Sequence, residues 1–96
     1  MIVFRADANK NIGMGHIMRC LSVADAATKS GLRCLFILAD ESVSALVQER
    51  GYKAIILNSD YENMEEECWP KIKADLVIID SYYVTPVYFR ETTYSR

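Results

Sequence analysis

Residues 1–6 (MIVFRA) form a short apolar run that breaks at Asp7 into a polar loop, and the loop ends in Gly13-Met14-Gly15-His16. Ile17, Leu21, Ala24 and Ala27 or Thr28 then recur at helical spacing. Strand, glycine loop and helix in that order bring a ligand onto the amides at a helix N-terminus. The loop also delivers His16, the single histidine of the chain.

The same alternation runs on. The first helix is expected from His16 to about Ser30, with Gly31 in the left-handed position that closes it. Residues 32–39 (LRCLFILA) read as a second strand. Asp40 or Ser42 can cap a short helix that reaches Arg50 and stops at Gly51. Residues 52–57 (YKAIIL) make a third strand and Asn58-Ser59-Asp60 a turn. Residues 62–73 read as a helix, with acidic residues early, Lys71 and Lys73 late, and Trp69 and Ile72 toward the sheet. Pro70 is an obstacle inside it. Residues 74–80 (ADLVIID) are the cleanest strand, and Thr85-Pro86 is a helix start.

Four strands separated by helices imply an open parallel α/β sheet, Rossmann-like, with helices on both faces. The expected strand order is 3-2-1-4, because the commonest doubly wound sheets reverse at the first strand. Such sheets bind ligands beyond the carboxyl ends of their strands. Residues 5–16 and 80–83 both lie there, so they are the expected site.

Ninety-six residues make one domain. A net charge of -2 argues against a duplex nucleic-acid binder, which would carry a basic face. Cys20, Cys34 and Cys68 are too few and too widely spaced for a zinc site, and read as free thiols in a reducing compartment. No metal and no cofactor are expected. The apolar runs are far short of a membrane span and lack a basic leader, so the chain reads as cytoplasmic.

Gly13-Met14-Gly15 lacks the third glycine of the dinucleotide fingerprint and the lysine of the P-loop. Its physical content is close backbone approach to a ligand. His16 beside it is either a general base toward a sugar or phosphate, or a residue packed on the first helical turn. Asp7 and Asp80 are the acidic candidates, or strand-ending caps. Arg5 and Arg19 could face a phosphate, and Arg19 shares a helix face with His16. Tyr82 and Tyr83 could stack on a sugar or base, or serve as a lid or interface.

Arg5-Ala6-Asp7, followed by Ile12-Gly13-Met14-Gly15-His16-Ile17-Met18-Arg19-Cys20-Leu21, resembles the start of one enzyme family. These are the PseG-type UDP-2,4-diacetamido-2,4,6-trideoxy-β-L-altropyranose hydrolases of pseudaminic acid biosynthesis, with the related spore-coat polysaccharide biosynthesis proteins. Residues 75–84 (DLVIIDSYYV) are similar to that family's fourth-strand motif. The resemblance implies a two-domain glycosyltransferase-B architecture. Residues 1–96 would be a truncated N-terminal Rossmann-like domain, with the C-terminal UDP-binding domain absent. It also implies a UDP-linked sugar as substrate and His16 as the base that activates water at the anomeric carbon. Gly13, Met14 and Gly15 would shape the loop near the diphosphate, and Asp7, Arg19, Asp80 and Tyr83 would line the cleft. The rival readings are a transferase of the same fold using a sugar or lipid acceptor, and a non-catalytic binding domain. The outer edge of the fourth strand is expected to be bare or to pair with another copy.

Overall fold

A computed structural model of the chain describes residues 1–81, 83 and 84. Tyr82, the expected helix start at Thr85-Pro86 and the remainder of the chain lie outside the described residues.

The first strand, β1 (Ile2–Ala6), is buried along its whole length, as Ile2, Val3 and Phe4 in succession suit an interior strand, and Arg5 is buried with them. It is followed by α1 (Gly15–Lys29), β2 (Cys34–Leu38), α2 (Ser44–Glu49), β3 (Lys53–Ile56), a single 3-10 turn at Met64–Glu66, and β4 (Leu76–Asp80). All strand pairings are parallel and the order is β3-β2-β1-β4, the expected one. The fold is a Rossmann-like α/β sheet.

Helix α1 buries Ile17, Cys20, Leu21 and Ala24 against the sheet, a stripe with the 3.6-residue period. It ends as predicted at Gly31, whose φ of +86° admits the left-handed turn. Leu32 N–H donates to the Ala27 carbonyl and Gly31 N–H to that of Thr28, the paired closure of a Schellman motif. Helix α2 is shorter than expected. Val43 occupies its N-cap without a side-chain bond, and the Asp40 carboxylate instead accepts the Ser42 amide in a local turn.

Both α-helices pack on one face. Ile17, Leu21 and Ala24 of α1 and Val47 of α2 join Ile2, Phe4, Ala6, Phe36 and Leu38 in one core cluster. Phe4 and Phe36 stack across β1 and β2 with ring centroids 4.9 Å apart. The opposite face presents Val3, Leu35 and Ile37, with Trp69 and Ile72 packed on them. The helix expected over 62–73 is absent. Only Met64–Glu66 coil, and the rest of the β3–β4 crossover is irregular. The acidic-to-basic charge order suited a helix. Pro70, however, has no amide proton for a helical bond and its ring obstructs the preceding turn, and Glu67 is drawn off to a partner in the sheet.

Candidate functional site

Strand register decides which residues meet. Ala6 lies opposite Asp80 in the β1–β4 pairing, and Phe4 opposite Ile78. Phe4, Ala6 and Ile78 belong to the α1 face, and side chains alternate along a strand, so Asp80 is presented to that face too. There it meets the first turn of α1. His16 Nδ1 lies 2.5 Å from Asp80 Oδ1. Arg19, one turn further along, donates from Nε to Asp80 Oδ2 at 2.9 Å and from Nη2 to Oδ1 at 3.1 Å. The same Nη2 is 3.1 Å from His16 Nδ1. His16 is buried, Asp80 is partly covered, and the Arg19 side chain is 63% exposed. This is an acid, an imidazole and a guanidinium in mutual contact at the carboxyl end of the sheet, where such folds bind ligands.

The charges shape one another. Burial pushes the Asp80 carboxyl up, but hydrogen bonds from Arg19 and His16 outweigh it and leave the group below the usual carboxylate value. Cys20, beneath this cluster on α1, has its thiol pushed up to about 12, chiefly by burial and then by the Asp80 charge. It is a core residue rather than a nucleophile.

The glycine loop is built by its own asparagine. Asn9 Oδ1 accepts the Asn11 and Ile12 amides, and the Asn9 carbonyl accepts the Gly13 amide at 2.8 Å. Gly13 has φ of +73°, a region L side chains rarely adopt, which accounts for the first glycine. Gly15 is placed differently. A Cβ there would meet Arg19 Nη1 at 3.4 Å, an ordinary van der Waals contact, so Gly15 lies against the guanidinium that holds Asp80. Met14 between them is exposed and is the N-cap of α1.

Arg5 and Asp7 are not brought to this cluster. Arg5 alternates with Ala6 and lies on the far face, fully buried. Its Nε donates to Glu67 Oε1 at 3.0 Å, its Nη2 to Glu67 Oε2, and its Nη1 to Asp7 Oδ2 at 2.7 Å. The other Asp7 oxygen accepts the Ala39 amide at 2.8 Å. Asp7 therefore ties the ends of β1 and β2 together. Glu67 escaped the sequence reading. The available signal was Arg5 itself, because a guanidinium in a buried strand demands a buried carboxylate.

Tyr83 stands at the rim. Its ring meets that of Tyr61 edge-on at 5.7 Å, and the Tyr61 hydroxyl accepts from Asn11 Nδ2 at 3.1 Å, linking the loop after β4 to the glycine loop. A shallow depression of about 600 Å³ opens nearby between Asn9, Lys10, Asn11, Asp40 and Ser42. Among the described residues, no three His, Cys, Asp or Glu side chains gather to hold a metal ion. No helix among them is long and apolar enough to cross a membrane.

An uncharacterized protein of Methanocaldococcus jannaschii is 32% identical over 81 residues, which make up 82% of this chain and 16% of that protein. The chain thus spans about 16% of the length of that relative. No protein-family model matches the chain, and no solved structure matches it.

Proposed function

We propose that this chain is the N-terminal part of a cytoplasmic nucleotide-sugar hydrolase in which His16 is the general base. The observation that carries the reading is the contact of His16 with Asp80 at the carboxyl end of the sheet, directly after a glycine loop. Each was a separate candidate in the sequence, and they come from segments 64 residues apart. The sequence motif shared with the UDP-diacetamido-trideoxyhexose hydrolases supports the choice of substrate.

In this reaction a water oxygen bonds to the anomeric carbon while the carbon–oxygen bond to UDP breaks. UDP leaves with the electron pair, the water proton passes to His16, and the configuration inverts. Arg19, largely exposed beside the histidine, supplies positive charge on the side where a diphosphate would lie. Asp7, committed to Arg5 and the Ala39 amide, supports the scaffold in this account.

In the two-domain enzyme that the reading implies, His16→Ala should leave UDP affinity nearly unchanged by calorimetry. Turnover should fall by about two to four orders of magnitude, the usual worth of a positioned base. Lost UDP affinity with unchanged turnover per bound substrate would make His16 a ligand contact and sink the assignment. The 96-residue chain alone should not turn over, since it would lack the nucleotide half of the cleft.

A further inference from the structure

We infer that Asp80, backed by Arg19, is a positioning residue that holds His16 in the tautomer with its proton on Nδ1, which leaves the basic lone pair on Nε2. The inference deepens the reading of His16 as a base and rests on it for its catalytic meaning. Its physical content stands on the geometry alone.

Four contacts converge. His16 Nδ1 and Asp80 Oδ1 are 2.5 Å apart, and Arg19 Nη2 is 3.1 Å from each of them. Arg19 Nε holds the second Asp80 oxygen at 2.9 Å. A guanidinium only donates, and an ionised carboxylate only accepts. If Nδ1 carried a lone pair, two electron-rich atoms would face each other at that separation, so a proton lies between them. Either Asp80 or His16 owns it.

Arg19 decides the owner. Its fork places two N–H groups on the two Asp80 oxygens, an arrangement that favours the ionised acid. The Asp80 carboxyl, held below the usual carboxylate value as described above, agrees. The proton therefore belongs to Nδ1, which donates it to Asp80. The Arg19 Nη2 contact with Nδ1 is then a consequence of crowding around Oδ1 and not a bond to a lone pair. An imidazole whose Nδ1–H is engaged by a carboxylate is fixed in both tautomer and ring orientation. In serine proteases, replacing the carboxylate of such a pair by an amide leaves the geometry intact but gives the wrong tautomer.

His16 is the chain's single histidine, so its ring nitrogens can be observed without ambiguity. The test is nitrogen NMR of the chain labelled at histidine, at a pH where the ring is neutral. Wild-type protein should show a protonated, pyrrole-type Nδ1 and a pyridine-type Nε2. Asp80→Asn, which keeps the shape but can offer N–H to the ring, should move the population toward the Nε2–H form. Arg19→Gln should move it part of the way. The backbone amide spectrum reports whether each variant is folded, and Arg19→Gln at an exposed side chain serves if Asp80→Asn is not. A wild-type ring protonated on Nε2 would overturn the inference. So would a folded Asp80→Asn chain whose ring stayed in the Nδ1–H form. Full turnover of a His16→Ala two-domain enzyme would instead overturn the base reading, and the ring spectrum would still decide what Asp80 does.

Discussion

Arg5 enters the core with its full charge because carboxylates from two segments meet it there. Glu67 takes two of its donors, Asp7 takes a third, and the Arg5 and Glu67 side chains are both fully buried. Removing one partner of a buried pair strands the other charges away from water. Arg5→Leu should therefore cost about 3–5 kcal/mol, read as a fall in the urea midpoint. Glu67→Gln keeps the shape and one acceptor, and should cost distinctly less. Asp80 gives a different signature. Its carboxyl ionises more readily in the folded chain than unfolded, because the Arg19 and His16 bonds outweigh burial. The stability this supplies is complete above about pH 5. It drains as pH falls past the unfolded value of about 3.9 and is lost once the lower folded value is passed. The stability gap between wild type and Asp80→Asn should accordingly shrink on acidification. A gap constant from pH 6 down to the onset of acid unfolding would rule out this account.

Among the elements, those whose local signals agreed with their packing were readable in advance. Apolar runs marked β1, β2 and β4, and Gly31 marked the end of α1. The site was half-readable. His16 and Arg19 sit one turn apart on a helix, which spacing shows directly, whereas their union with Asp80 depends on the β1–β4 register. The crossover was misread for a physical reason. Trp69 and Ile72 do face the sheet, as their spacing suggested, but they reach it from irregular backbone pinned by Glu67 on Arg5. A local charge pattern cannot report a partner 62 residues away. This pinning yields a prediction for the element. Trp69 is half-buried, packs on the Val3–Leu35–Ile37 cluster and donates from Nε1 to Glu67 Oε1 at 3.3 Å. Trp69→Ala should cost about 2–3 kcal/mol, below the 3–5 of a fully buried large aromatic. Denaturant unfolding followed by circular dichroism would measure it, since the variant loses the chain's single tryptophan.

At the scale of the whole molecule the two faces of the sheet are unequal. Among the described residues, the α1 and α2 face gathers a core cluster of twelve buried residues, while the apolar cluster of the crossover face has three, covered by irregular chain. Local opening follows buried apolar contact and backbone hydrogen bonding, so the two sides should not open together. Amide exchange should be slowest in β1 and β2, the interior strands of the described sheet, and slow in the middle of α1. Amides of residues 60–75 should exchange much earlier, through openings that release the crossover and leave the helix face intact. Uniform exchange across both faces would mean that the crossover and the core open as one unit. The same measurement bears on self-association. β4 is an outer strand of that sheet and its Leu76 is 52% exposed, the kind of edge that invites pairing with a second copy. If copies pair there, exchange in β4 slows as protein concentration rises while exchange in the crossover stays put. Rates in β4 that are identical in dilute and concentrated samples would count against pairing, and would leave the inequality of the two faces to be judged on the crossover amides alone.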